Sequence, residues 1–149
     1  MPNSIIIPTD GSKYAEEAAE VGFEFATKLD ATVHAVAVGD VSLAEVSAVG
    51  AAPPQSKDDV TEIAIEWAEE LAAEAERHGL EAEPVVRTGT PAEEIADYAA
   101  ELDADMIVIG TAGRTGLRKR ILGSVTDEVV RTAPVPVVTV RPDGSVDAA

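Results

Sequence analysis

Two short stretches of this chain hold residue types that bind sugars and anions. The first is Pro8-Thr9-Asp10-Gly11-Ser12, which places a carboxylate between two hydroxyls. A carboxylate there can accept hydrogen bonds from ribose hydroxyls. It can equally do no more than shape a turn or cap the helix that follows. The second stretch reads Gly110-Thr111-Ala112-Gly113-Arg114-Thr115-Gly116-Leu117-Arg118-Lys119-Arg120-Ile121-Leu122-Gly123-Ser124. Glycines at its two ends permit close backbone approach and positive φ. Gly123 and Ser124 open a helix, whose first N–H groups form an anion site. Four of the chain's eleven cations, Arg114, Arg118, Lys119 and Arg120, lie in this loop, although the formal net charge is −17. A local reversal of sign on that scale points to an anionic ligand; the plainer account is a solvated polar loop.

Other chemistries find little support. No G-x-G-x-x-G follows a strand and no G-x-x-x-x-G-K-[ST] occurs, so both common phosphate motifs are missing. Cysteine is absent, which removes disulfides, thiolate catalysis and Cys-ligated metal. His34 and His78 have no paired spacing, so no zinc site is expected. Ser12 and Ser124 lack an identifiable His-Asp relay, and no catalytic residue is assigned. The pairs Asp58-Asp59 and Glu69-Glu70 read as solvated faces, and Trp67 as core.

The composition sets the frame for these residues. The 149 residues correspond to about one domain. Hydrophobic residues make up 46%, enough to bury a core, and this argues against disorder. The 28 acids against 11 bases disfavour nucleic acid or an anionic membrane as a partner. No run reaches the ~18 apolar residues of a membrane span. The N-terminus has no basic segment before its apolar stretch, so a cytoplasmic protein is expected. With acids replacing lysine at ordinary total charge, the composition further suggests a very saline cytoplasm.

Strands and helices alternate along the chain. Ile5-Ile6-Ile7 is a continuous β-branched run of the kind found in parallel strands buried on both faces. Residues 12–29 follow as a helix with Tyr14, Ala18, Val21, Phe25 and Leu29 on its apolar side. Residues 32–38 form a second strand, and 41–56 a surface loop or short helix. A helix over 57–78 carries Val60, Ile63, Trp67, Leu71 and Ala75, and Gly79 ends it. A third strand spans 84–88. Thr90-Pro91-Ala92-Glu93 starts a helix with a capping Thr, Pro at the first position and Glu three residues after the cap. Strand four spans 106–109, a short helix 124–132, and strand five 135–140. The order implies an α/β fold: one open parallel sheet of five strands with helices on both faces. The domain covers 1–142, and 143–149 is a flexible tail. In such sheets, ligands bind at the carboxyl ends of strands where strand order reverses.

Five blocks in this order resemble one family. Gly110-x2-Gly113-x9-Gly123-Ser124 is similar to the nucleotide signature of ATP-binding universal stress proteins. Ile7-Pro8-Thr9-Asp10-Gly11-Ser12, Gly89-Thr90-Pro91-x3-Ile95, the strand from Asp105 to Thr111, Leu122-Gly123-Ser124-Val125-Thr126, and Pro134-Val-Pro-Val-Val-Thr-Val resemble blocks of that family in chain order. The resemblance implies strand order 3-2-1-4-5 and bound ATP, with Mg²⁺ or Mn²⁺ held through the phosphates. It implies that Asp10, beside Thr9, and the backbone of Gly110 meet the ribose, and that the backbone at Val38 meets the adenine edge. Gly113, Gly123, Ser124 and Val125 would cradle the phosphates, with Thr126 and Arg114 nearby. It also implies a homodimer joined along the strand that starts at Val135 and finishes at Val140. The expected function is a stress-response nucleotide-binding regulator. The alternatives are a slow ATPase or other adenine-nucleotide enzyme, and an interaction module that uses the fold without nucleotide.

Overall fold

The computed structural model describes residues 3–40, 57–111 and 123–148. Its strands are β1 (Asn3–Pro8), β2 (Ala31–Asp40), β3 (Ala82–Gly89), β4 (Met106–Gly110), β5 (Val137–Val140) and β6 (Val146–Ala148). Its helices are α1 (Lys13–Leu29), α2 (Lys57–Arg77), α3 (Pro91–Leu102) and α4 (Ser124–Thr132). They form one sheet of order β3-β2-β1-β4-β5-β6. The first five strands run parallel in the expected order 3-2-1-4-5, and β6 pairs antiparallel with β5.

The expectation of five parallel strands is therefore corrected to a six-stranded mixed sheet, and β5 is not an edge. Residues 143–149 were expected to trail as a tail. Instead Gly144, at φ +87°, turns the chain, and Asp143 accepts from Ser145 N at 2.9 Å. Val146 then pairs with Val140 and Ala148 with Val138. Arg141 Nη2 lies 2.7 Å from Asp147 Oδ2 across this hairpin. Three residues, all of them exposed, are too few to register as a strand pattern in the sequence.

The β-branched run of β1 explains the layers. Successive side chains of a strand point to opposite faces. Ile5 and Ile7 pack with Ala18, Phe23, Leu71 and Ala75 of α1 and α2. Ile6 packs on the other face with Ile95, Ala99 and Val129 of α3 and α4. All three isoleucines are 0% exposed, so the run needs no polar alternation.

Two helix faces differ from the predicted stripes. On α1 the buried residues are Ala15, Ala18, Ala19, Gly22, Phe23 and Ala26, while Phe25 is half-buried and Leu29 exposed. The helix packs close through its small residues: a Cβ on Gly22 would lie 2.5 Å from Ile7 Cδ1. On α2, Ala64 and Ala68 are buried with Ala37, and Trp67, half-buried, packs against that cluster at the margin of the core. At the start of α3, Thr90 occupies the N-cap position but its side chain makes no capping hydrogen bond. Strand five begins at Val137, two residues later than expected. No helix among the described residues is long and apolar enough to cross a membrane.

Candidate functional site

The strand order reverses between β1 and β4, which pair directly through Ile5–Met106 and Ile6–Ile107. Their carboxyl ends lead into the two stretches singled out in the sequence. The β1 end is built by local hydrogen bonds. Thr9 N donates to Val36 O on β2 at 2.8 Å. Gly11 N donates to Thr9 Oγ1 at 3.1 Å, and Ser12 N donates to Asp10 Oδ1 at 3.0 Å. Ser12 is the N-cap of α1, its Oγ accepting from Ala15 N at 3.2 Å. Gly11 has φ +76°, which only glycine adopts at low cost. A Cβ there would also run into the indole of Trp67, so α2 bears on this loop. Asp10 thus has a turn role, while the capping role falls to Ser12.

The β4 end is tied to α4 and β5. Thr111 N donates to Val140 O at 2.9 Å, and Gly123 N donates to Thr111 O at 2.8 Å. Thr126 is 5% exposed and donates through Oγ1 to Gly110 O at 2.7 Å. That hydroxyl fixes the first turn of α4 on the end of β4, a positioning part that the sequence does not reveal. Gly123 is the N-cap of α4, at φ −59° and ψ 158°. The expected positive φ is therefore absent at Gly123. What limits this position is space, because a Cβ would lie 3.3 Å from Thr111 O. Ser124 is exposed and Val125 half-buried at the start of α4. Asp127, in the first turn, pairs with Arg131 at 3.0 Å. Val38, half-buried near the end of β2, stands opposite Arg87 of β3. The structure so brings Thr9, Asp10, Gly110, Gly123, Ser124, Val125 and Thr126 to strand ends or the helix start that follows them. Gly113, Arg114, Arg118, Lys119 and Arg120 lie outside the described residues, as does the segment 41–56.

A model of the universal stress protein family matches residues 1–141. The chain belongs to that family. A universal stress protein of Methanocaldococcus jannaschii is 38% identical over 141 residues, spanning 92% of this chain and 81% of its own length. The solved structure of MJ0577, a universal stress protein of the same archaeon, aligns at TM-score 0.75 and 29% identity, covering 95% of this chain and 96% of that one. The universal stress protein from Archaeoglobus fulgidus in complex with dAMP aligns at TM-score 0.63 and 24% identity, over 93% and 96% of the two chains. The universal stress protein fold thus accounts for the parallel β1–β5 order.

Both histidines are engaged away from these loops. His34 is 5% exposed, with Nδ1 2.9 Å from the Tyr98 hydroxyl and 3.6 Å from Glu83 Oε2. Burial lowers its pKa from 6.5, partly opposed by Glu83. Burial likewise raises Tyr98, with Glu83 adding to the effect. His78 stands beyond α2, near Glu20 and Glu74. A cavity of about 350 Å³ between α1 and α2 is lined by Glu20, Glu74, Trp67 and Arg77, and reaches Thr9 and Gly11.

Proposed function

We propose that this universal stress protein binds ATP and acts as a stress-response regulator rather than a fast enzyme. The observation that carries the reading is the meeting of two polar strand ends, β1 and β4, at the point where strand order reverses. In this reading Thr9 and Asp10 and the backbone of Gly110 face the ribose, and the backbone at Val38 faces the adenine. Gly123, Ser124 and Val125 present helix N–H groups to the phosphates. Gly113 and Arg114 act with them, and Mg²⁺ or Mn²⁺ is carried by the phosphates. Adenylate complexes of the fold, such as that of the Archaeoglobus protein with dAMP, support the ligand class.

A homodimer in a saline cytoplasm belongs to the same reading. Pairing along Val137 to Val140 then requires β6 to lift away, because β6 occupies that side of β5.

Calorimetry of the full chain with ATP, ADP, AMP and cAMP tests the ligand. Saturable ATP binding is expected. Asp10→Ala should weaken it by about 1–3 kcal/mol through loss of a charged hydrogen-bond partner. Equal affinity in wild type and variant would move the ribose elsewhere. Phosphate release followed with limiting ATP and Mg²⁺ separates a regulator from an enzyme. At most a single turnover over hours is expected, far below the ~1 s⁻¹ of typical enzymes, whereas multiple turnovers per minute that vanish in Asp127→Asn would favour the ATPase.

A further inference from the structure

His78 is held by three separate contacts. Its ring lies 4.9 Å, centroid to centroid, from the buried Phe23 of α1. Nδ1 lies 2.9 Å from the carbonyl oxygen of Glu74, and a carbonyl only accepts, so Nδ1 carries the proton. Nε2 then bears the lone pair, and it faces Glu20 Oε2 of α1 at 3.4 Å. Metal-binding histidines characteristically donate their other ring N–H to a carbonyl or carboxylate in this way.

The third group is the carboxylate of Glu74, four residues before His78. Arg77 Nε donates to Glu74 Oε2 at 3.1 Å, while Oε1 lies 3.9 Å from Nδ1, the protonated edge of the His78 ring. One ligand atom from each of Glu20, Glu74 and His78 falls within 4.8 Å of the others. To reach the ~2.0–2.2 Å bonds of a zinc site at Nε2, the Glu74 carboxylate must turn away from Nδ1 and release Arg77. The nitrogen donor sets the trio apart from the many carboxylate clusters of an acidic surface. Its position favours a cation twice over. It lies at the C-terminal end of α2, where the helix dipole attracts positive charge. It also adjoins a cavity whose lining has Glu16 and Glu70 beside the proposed ligands, against one cation, Arg77, which a bound metal would displace from Glu74.

We propose that Glu20, Glu74 and His78 form a binding site for one divalent transition-metal ion, of the zinc class, that clips α1 to the end of α2. Imidazole with two carboxylates suits Zn²⁺ better than the oxygen-only preference of Mg²⁺ or Ca²⁺. Water completes the shell, since Glu20 and His78 are both exposed. The site is independent of the nucleotide reading, because it uses none of that site's residues. It also departs from the expectation, drawn from the sequence, that the two histidines take no metal.

The test is calorimetric titration of the metal-stripped full chain with ZnCl₂ in about 1 M KCl, where a Debye length of ~3 Å suppresses diffuse attraction to the acidic surface. One Zn²⁺ per chain is expected. Glu20→Gln, an isosteric change at an exposed position, and His78→Ala should each weaken binding on the order of 10–100-fold. Glu66→Gln, exposed on α2 outside the trio, should leave it unchanged. Ring nitrogen shifts should report coordination at Nε2 with the Nδ1 proton retained. Absence of saturable heat, or isotherms equal in wild type and Glu20→Gln, overturns the proposal. The latter comparison stands even if His78→Ala loosens the packing on Phe23.

Discussion

Gly123 lacks a side chain where Thr111 leaves little room for one. Because its φ is ordinary, Ala should be absorbed by a shift of a few tenths of an ångström. Val adds two γ carbons over the first N–H groups of α4. Gly123→Val is expected to reduce ATP affinity by on the order of tenfold, ~1.4 kcal/mol, with an unchanged far-ultraviolet spectrum; full affinity by calorimetry would place the phosphates elsewhere. His34 supplies a second prediction. Its folded pKa lies below 6.5, so as pH falls through that value the unfolded chain takes up the proton first. Stability is therefore lost below about pH 6.5, until the folded ring also protonates. His78 has a raised pKa, chiefly from its bond to the Glu74 carbonyl, and acts in the opposite sense: its contribution is present below 6.5 and fades as pH rises through its folded value. Denaturant midpoints between about pH 8 and pH 5 should accordingly fall less in His34→Gln than in wild type. Equal slopes would remove His34 as the cause. At this scale the sequence marks Asp10 and Gly123 by type and place alone. It does not reveal that Thr126 is committed to Gly110 O, nor that Glu20 reaches His78 from 58 positions away in the chain.

The elements were legible wherever large apolar side chains carried the signal. Ile5-Ile6-Ile7 announces β1, and the parallel order follows from the alternation of strands and helices. The phase of α1 was not, because apart from Phe23 the face that packs is made of Ala and Gly, which a search for large apolar residues passes over. Helix ends hold another hidden feature. Asp30 and Asp103 are C-caps in the left-handed region, at φ 52° and 54°. An L-residue there costs roughly 1–2 kcal/mol, less for Asp than for most. Asp103→Gly should thus stabilise the chain by up to ~1 kcal/mol, read as a higher denaturant midpoint; a lower one would mean that the aspartate side chain contributes more than its torsion costs. The β5–β6 hairpin gives an element-scale test of association. All three β6 residues are exposed, so deleting 143–149 should leave the fold intact while baring Val137 to Val140. An unpaired apolar strand edge invites a second chain. Light scattering should then find the shortened protein more associated than the full chain at micromolar concentration. Equal masses would show that β6 does not guard the edge.

For the whole molecule, the decisive quantity is the charge of −17 on 149 residues. Much of it lies on the outer faces of α1 and α2, where Glu16, Glu17, Glu24, Glu66 and Glu69 are exposed. Like charges that crowd a folded surface oppose compactness. At ~0.01 M salt they interact over ~30 Å, whereas at ~1 M the range shrinks to ~3 Å. The melting temperature should rise by several degrees between dilute buffer and molar KCl. A flat profile would show that the acids are spaced widely enough not to strain the fold, and would detach the composition from a saline setting.

The packing of Trp67 against Gly11 has an optical consequence. This indole is the chain's one tryptophan, so the intrinsic fluorescence of the protein has a single dominant source. It rests on the turn between β1 and α1 and also lines the cavity that Glu20 and Glu74 share. A ligand that displaces Gly11 must alter the polarity around the same ring that a cation drawing α1 toward α2 would alter from the other side. One unlabelled chromophore therefore reports on both events, and titrating each ligand in the presence of the other would read out any communication between them directly in emission wavelength.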